Sequence, residues 1–203
     1  MKIVLASGSP RRASILNQLG FSFTADPSSV DESIEPGKTP EQIASGLAYK
    51  KGTSVASRHP DSLLIAADTI VVLENEIIGK PSDAEDAKKM LNRLSGKTHD
   101  VYTGIVLLKT SFDCKITQEN TFCKQTSVTF SKLSQYEIEK YVEKSKPFDK
   151  AGSYGIQDDL GCLFVENIKG DYYNIVGFPV NRFYHHLKTF DPEVAASIFG
   201  RQE

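Results

Sequence analysis

The segment Ser7-Gly8-Ser9-Pro10-Arg11-Arg12 carries the clearest chemical signal in the chain. The apolar run 2–6 before it predicts a buried strand, and helical spacing of apolar residues at 15, 16 and 19 predicts a helix after it. Ser9 is placed to be the N-cap and Pro10 the first helical residue. Backbone N–H groups, two hydroxyls and two guanidinium groups then converge on one point, which fits a polyphosphate. The alternative is a capped surface helix with two solvated arginines.

Asp68 is the second signal, because it interrupts an apolar run from Leu63 to Leu73. The pattern places it in or at the end of a buried strand, where an unpaired carboxylate needs a partner, a metal or a shifted pKa. The alternative is a carboxylate satisfied by the N–H groups of a turn. Glu32 in a polar loop, Lys51 on a predicted helix and Lys80 after a predicted hairpin are weaker candidates. Each of these three, taken alone, is typical of a solvated surface.

The segment 154–159 is a polar loop flanked by glycines, and we expect its Gln157 to be buried. A glutamine amide offers both a donor and an acceptor, so Gln157 could read the edge of a nucleobase. His185 and His186 are adjacent on a predicted helix, so their side chains diverge and we interpret them as surface residues. The chain lacks the P-loop, dinucleotide-binding and zincin motifs.

The composition excludes several kinds of partner. With 24 basic and 26 acidic residues among 203, the chain has no general positive field for a nucleic acid or an anionic membrane. The three cysteines are odd in number and lack C-x-x-C spacing, which is typical of thiols in a reducing compartment. Too few residues precede Ser7 for a secretory signal, and the run 63–73 is too short to span a bilayer. We therefore expect a cytoplasmic protein.

Helix and strand signals alternate along the chain. Capping boxes at 39–42, 82–85 and 134–137 predict three helix starts, and a further helix is predicted from about Pro179. Strand-like runs lie at 63–67, 70–73, 77–78, 101–108, 126–130, 162–165 and 172–176. This order predicts an α/β fold with a mixed sheet flanked by helices, built as one domain or as two lobes that share a sheet.

Six segments occur in order over nearly the whole chain and together resemble the Maf family of nucleoside triphosphate pyrophosphatases. They read ASGSPRR at 6–12, ADT at 67–69, GKP at 79–81, LSGKTH at 94–99, AGSYGIQ at 151–157 and GDYYNIVGFP at 170–179. The resemblance implies an elongated, two-lobed, ITPase-like fold with a central cleft, in one domain over 1–190 with a tail at 191–203. It also implies a homodimer and hydrolysis of a nucleoside triphosphate to monophosphate and pyrophosphate with Mg²⁺, Mn²⁺ or Co²⁺.

The same resemblance suggests roles for individual residues. Positions that match the active site of the family are Ser7, Arg11, Arg12, Glu32, Lys51, Asp68 and Lys80, with Asp68 as the proton acceptor. Arg12, Thr69 and Gln157 match the branch that prefers dTTP, UTP and sometimes CTP over 7-methyl-GTP. The chain departs from the family at Asp158-Asp159-Leu160-Gly161, where glycine-rich sequence is usual, and at Gly52, where alanine is usual. For Gly52 we expect only a loss of helix propensity.

The chemistry of these residues agrees with that reading. Ser7, Ser9, Arg11, Arg12, Lys51 and Lys80 would bind the triphosphate, and Glu32 and Asp68 would hold the divalent metal. Asp68 could act as base or as metal ligand, and the two roles compete. We expect a house-cleaning enzyme that removes non-standard nucleotides. Its rivals are a non-catalytic nucleotide-binding regulator of cell division and a phosphatase that releases orthophosphate.

Overall fold

The structure is a computed structural model that describes residues 1–34, 36–158 and 160–200. The strands are β1 (Lys2–Leu5), β2 (Thr24–Ala25), β3 (Ser62–Leu73), β4 (Glu76–Ile78), β5 (Thr98–Thr110), β6 (Ile116–Phe130) and β7 (Val165–Lys169). The helices are α1 (Pro10–Gln18), α2 (Pro40–Ala56), α3 (Ala84–Leu94), α4 (Gln135–Ser145), α5 (Tyr172–Val176), α6 (Val180–Phe190) and α7 (Pro192–Ser197). Short 3₁₀ turns lie at Ala151–Ser153 and Gly161–Phe164.

The strands that the structure describes form a seven-stranded sheet in the order β2-β1-β3-β5-β6-β7, with β4 paired to β3. β1 runs parallel to both β2 and β3, so Val4 lies opposite Thr24 on one side and Leu64 on the other. β4 and β7 run antiparallel to β3 and β6. The expected mixed α/β sheet with flanking helices is confirmed.

The chain divides into two compact units. Unit 1 comprises the described residues of 1–68, 103–124 and 177–203, and unit 2 those of 69–102 and 125–176. Strands β3, β5 and β6 each contribute residues to both units. In unit 1, apolar residues of α2 pack with residues of β1, β3 and β5 in a buried cluster: Val4, Ala6, Ala48, Val55, Ala56, Leu64, Ala66, Val106 and Leu108.

The helix starts follow the local sequence signals closely. Ser9 caps α1, and Thr39 and Ser134 close full capping boxes on α2 and α4, as predicted. The box at 82–85 differs, because Asp83 rather than Ser82 is the N-cap of α3 and accepts from the Asp86 N–H at 2.8 Å. The helix therefore begins one residue later than predicted, and a carboxylate replaces the serine hydroxyl as the capping acceptor.

Two predicted elements are wrong. The run 172–176, predicted as a strand, is helix α5, because Asp171 Oδ1 accepts from the Tyr173 N–H at 2.9 Å and so starts a helical turn. The buried Asn174 side chain then donates to the Val101 carbonyl at 2.9 Å and holds the turn in place. The run 162–165 is a 3₁₀ turn as far as Phe164, and β7 begins only at Val165. In addition, 63–67 and 70–73 form the single strand β3.

Within 191–203, expected as a tail, Asp191 caps α7 and the described residues end at 200. The three cysteines are thiols and not disulfides. In the described ranges, no helix has the length and apolar character needed to cross a membrane.

Helix α2 carries Lys51 and lies unusually close to the sheet at two glycines. A Cβ added to Gly52 would lie 3.1 Å from Leu108 Cδ1 and 3.2 Å from Ala66 Cβ. A Cβ added to Gly104 of β5 would lie only 2.4 Å from the Ala44 carbonyl oxygen of α2. Gly52 is therefore more than a weak helix former, because its missing side chain lets α2 approach β3 and β5.

We expect Gly104→Ala to lower the free energy of unfolding by about 1–3 kcal/mol, because the clash is with helix backbone that cannot move aside locally. Urea denaturation would measure this. Gly46→Ala is the matched control, since nothing lies within 4 Å of a Cβ at that position of α2. The control should gain about 0.5–1 kcal/mol from helix propensity. Equal stability of the two variants would contradict the close approach of α2 to β5.

Candidate active site

The turn between β1 and α1 is organised around the Ser7 hydroxyl. Ser7 Oγ accepts hydrogen bonds from the Ser9 N–H at 3.2 Å and from Arg12 Nη1 at 3.1 Å. Ser9 Oγ in turn accepts from the Arg12 N–H at the start of α1, at 3.5 Å. A hydroxyl that accepts two bonds still has its own O–H to donate. The turn therefore presents donors at a helix N-terminus.

Arg12 is buried, so the interpretation of two solvated arginines is wrong for this residue. Its Nε donates to the Gly177 carbonyl at 3.0 Å, which ties α1 to the segment before α6. Burial lowers the pKa of Arg12, and the charges of Asp68 and Glu32 act in the opposite direction. Arg11 is partly exposed and adds a like charge next to Arg12. The guanidinium of Arg12 thus braces the turn and places positive charge near both carboxylates.

Lys51 pairs with two candidate carboxylates of unit 1, those of Asp68 and Glu32. Its Nζ forms an ion pair with Asp68 Oδ1 and a second with Glu32 Oε1 at 2.7 Å. The side chains of Lys51 and Asp68 are only 12% and 10% exposed, whereas that of Glu32 is 46% exposed. The expectation that Asp68 needs a partner is met by a cation supplied from α2. Lys51 thus holds two carboxylates at one point, where their oxygens can orient a water molecule or bind a cation.

The residues of unit 2 that the sequence singled out lie on three segments. Thr69 follows Asp68 directly in β3, so the two side chains point to opposite faces of the strand. Lys80 is exposed after β4, and the carbonyl of the preceding Gly79 accepts from the Gly152 N–H at 3.0 Å. That bond joins the Lys80 turn to the segment that leads to Gln157.

Gln157 is exposed, so the expectation that it is buried is wrong. The residues before it are buried instead and fix the loop: Tyr154 Oη is hydrogen-bonded to His99 Nε2 at 2.8 Å. Burial lowers the pKa of His99 to about 4, so this imidazole is neutral near pH 7. A loop with a buried stem and an exposed tip can present Gln157 to a ligand.

Sequence reasoning missed two residues that hold this loop. The buried Tyr141 of α4 donates from its hydroxyl to Asp158 Oδ2 at 3.1 Å, and Lys150 Nζ lies 3.5 Å from the same oxygen. Neither residue belongs to a local motif that predicts a contact with this loop. Asp158 belongs to the segment noted as a departure from the family, and its neighbour Asp159 lies outside the described residues.

The donor set for a metal consists of two carboxylates. Among the residues that the structure describes, no group of three or more His, Cys, Asp and Glu side chains could hold an ion by itself. Glu32 and Asp68 nevertheless meet at one ammonium group. Mg²⁺ is usually bound by one or two carboxylates together with substrate phosphates. The residues present therefore fit a divalent cation that arrives with a phosphate ligand.

The two adjacent histidines lie apart from this site. His185 is exposed, while His186 stacks on Phe122 with ring centroids 3.8 Å apart and bonds to Asn120 through Nδ1 at 3.0 Å. The interpretation as surface residues holds for His185, whereas His186 is partly buried against Phe122.

Comparison with known proteins identifies the family to which this chain belongs. The model of a family described as Maf-like protein matches residues 2–190. The chain belongs to the Maf family. Among its Maf relatives are a dTTP/UTP pyrophosphatase of Bacillus cereus, 46% identical over 193 residues, which are 95% of this chain and 97% of the relative. Another, from Bacillus cytotoxicus, is 45% identical over 190 residues, 94% of this chain and 96% of the relative.

A solved structure, that of a HAM1 protein from Coxiella burnetii, is similar to this Maf protein with a TM-score of 0.43. It is 18% identical and covers 66% of this chain and 74% of its own.

Proposed function

We propose that this Maf protein hydrolyses dTTP and UTP to the nucleoside monophosphate and pyrophosphate. Relatives that are 45–46% identical over about 95% of the chain bear the name dTTP/UTP pyrophosphatase. The chain is accordingly a nucleoside triphosphate pyrophosphatase, a hydrolase acting on acid anhydrides. The main structural support for catalysis by this chain is the cluster of Lys51, Asp68 and Glu32. The charge of Arg12 interacts with both carboxylates of this cluster.

The triphosphate would be bound mainly by the N-terminus of α1. The N–H groups of the first turn, the Ser7 and Ser9 hydroxyls and the Arg11 guanidinium supply donors and positive charge there. Arg12 keeps the turn in shape through Ser7 and Gly177. The ammonium groups of Lys51 and Lys80 would bind phosphate oxygens. They would stabilise the negative charge that develops on pyrophosphate as it leaves.

The reaction proposed is attack of water on the α-phosphorus. A new bond forms between the water oxygen and that phosphorus, and the bond from the phosphorus to the oxygen bridging to the β-phosphate breaks. The proton lost by the water goes to Asp68, whose carboxylate is oriented by Lys51. The bridging oxygen leaves with pyrophosphate, whose charge the cationic groups stabilise.

Glu32 and Asp68 are the residues we propose to hold Mg²⁺, Mn²⁺ or Co²⁺, with Glu32 as the main ligand because the role of Asp68 as base competes with metal binding. When bound, the ion supplies charge neutralisation for the triphosphate. The partial exposure of Glu32 and its position on a polar loop leave this carboxylate open to a ligand that comes from solvent.

Gln157 is the residue we propose for recognition of the base, with Thr69 and Arg12 as further residues that determine base preference. Thymine and uracil present O4 as an acceptor and N3–H as a donor, and one amide group satisfies both. Modified pyrimidines that keep this pattern should also be substrates, with CTP weaker. Action on such nucleotides fits a house-cleaning role in the cytoplasm.

A substrate panel with identification of the products tests the proposal. We expect dTTP and UTP to give pyrophosphate and monophosphate in the presence of Mg²⁺, Mn²⁺ or Co²⁺, with higher kcat/KM than ATP or 7-methyl-GTP. Excess chelator should abolish turnover, and full activity in chelator would contradict the metal role. Orthophosphate as the first product would show a phosphatase. Nucleotide binding without any product would show a regulator.

A further inference from the structure

We infer that Asp158 is a positioning residue that determines base specificity, by holding the Gln157 amide in the orientation that accepts uracil or thymine and disfavours cytosine. The inference rests on the proposed function, because it assigns the base to Gln157. It adds a residue, the direct neighbour of Gln157, to which the proposed function gives no role.

The contact that carries the inference is between neighbouring side chains. Gln157 Nε2 donates to Asp158 Oδ1 at 3.1 Å. A carboxylate can only accept hydrogen bonds, so the amide group that faces it must be the NH₂ end. If the amide turned over, its Oε1 would face the negatively charged oxygen and the contact would become repulsive. Because Gln157 is exposed, packing does not fix its amide, and this polar contact does.

The Asp158 carboxylate is itself held in place by several contacts, so it can fix the orientation of the Gln157 amide. The Tyr141 hydroxyl donates to Oδ2 at 3.1 Å and also accepts from the Gly155 N–H at 3.0 Å. Lys150 Nζ lies 3.5 Å from the same carboxylate oxygen. A Cβ added to Gly155 would lie 2.6 Å from Oδ2, so the carboxylate rests directly against the loop backbone.

The consequence for the base follows from the hydrogen-bonding patterns. With one Nε2 hydrogen given to Asp158, Gln157 still presents Oε1 and the second Nε2 hydrogen. These match the N3–H and O4 of uracil or thymine. Cytosine has an amino group at position 4 and an acceptor at N3, so it needs the turned amide. Asp158 thus makes the cytosine-binding orientation unfavourable, and specificity comes from a penalty on the wrong base.

The test compares kcat/KM for UTP and CTP in the wild type and in Asp158→Asn. An asparagine side chain both donates and accepts, so it can pair with either orientation of Gln157. We expect the UTP-to-CTP ratio to fall about 10-fold, the order of the loss of one charge-assisted contact, mainly through a gain on CTP. Tyr154→Phe is the control, since it removes the hydrogen bond to His99 that supports the loop and leaves the contacts of the Asp158 carboxylate in place. It should lower both substrates alike and leave the ratio unchanged.

A double variant shows whether the effect acts through Gln157. In a Gln157→Ala background, Asp158→Asn should leave the ratio unchanged, because no amide remains to be oriented. An unchanged ratio in Asp158→Asn itself, or the same change in Tyr154→Phe, would overturn the inference. Asp158→Ser, whose hydroxyl also donates and accepts, replaces the asparagine variant if urea denaturation shows that the latter is unfolded.

The wild type separates this inference from the function on which it rests. Pyrophosphate released equally well from UTP and CTP would overturn the role of Asp158 and leave the proposed function intact. Failure to release pyrophosphate from any pyrimidine triphosphate would overturn the proposed function.

Discussion

Replacing Asp68 with asparagine is expected to lower kcat for dTTP by about 100-fold or more, the usual range for loss of an acid–base group. Asparagine keeps the shape of the side chain and can accept a hydrogen bond from Lys51, but it neither takes the proton from water nor carries charge. Lys51 retains its pair with Glu32 at 2.7 Å, so we expect the fold to persist. Pyrophosphate release at saturating dTTP and Mg²⁺ would measure the loss.

Asp191→Asn is the matched control for this variant. Asp191 is also a buried aspartate of unit 1 paired with a lysine, since its Oδ2 lies 3.1 Å from Lys109 Nζ. It caps α7, and asparagine can cap as well, so kcat should stay near the wild-type value. Near-wild-type turnover in Asp68→Asn would remove Asp68 from the chemistry.

The same variant separates the two roles of Asp68. If the carboxylate is mainly a metal ligand, the Mg²⁺ concentration for half-maximal rate should rise strongly and excess Mg²⁺ should restore part of the activity. If it is mainly the base, the loss should persist at every Mg²⁺ concentration. We expect the second result, because Lys51 already occupies one oxygen of the carboxylate.

Replacing Lys51 with methionine should produce the second large effect, on both activity and stability. Turnover should fall about 100-fold, as when one donor to the developing charge is removed. The Asp68 carboxylate, 10% exposed, would lose its cation, and breaking a largely buried pair in this way costs about 3 kcal/mol of unfolding free energy. Steady-state kinetics and urea denaturation measure the two effects separately.

Two further variants make the stability result specific. In Lys51→Met/Asp68→Asn no buried carboxylate remains at 68, so the double variant should be more stable than Lys51→Met alone, although it is inactive. Lys109→Met, which breaks the comparable pair with Asp191, should lose stability and keep kcat. A Lys51→Met protein as stable and as active as the wild type would show that the Lys51 pairs are unimportant in solution.

Much of the local structure was predictable, because it depends on neighbours in the chain. Ser9 with Pro10 and the boxes that begin at Thr39 and Ser134 use side chains a few residues apart to satisfy backbone N–H groups. Six ordered motifs were enough to indicate the family. Both kinds of information lie in residue types and spacing alone.

The tertiary structure decided whatever depends on distant partners. The run 172–176 has strand-forming residues, and only the Asp171 turn and the burial of Asn174 against Val101 make it a helix. Arg12 is buried because its guanidinium reaches Gly177, 165 residues away. Gln157 is exposed because other elements anchor the stem of its loop: His99 bonds to Tyr154, and Tyr141 bonds to the Gly155 N–H.

The candidate site shows the same division. The sequence by itself named Glu32, Lys51 and Asp68 as separate candidates, of which only Asp68 had a clear signal of its own. The Lys51 ammonium group meets the carboxylates of Asp68 and Glu32 because α2 packs closely against β3. The small residues Gly52 and Ala66 permit this packing. Burial then makes the charges interact strongly, since a lower effective dielectric strengthens each ion pair. Residue types determined which chemistry was available, and long-range packing decided which groups meet to perform it.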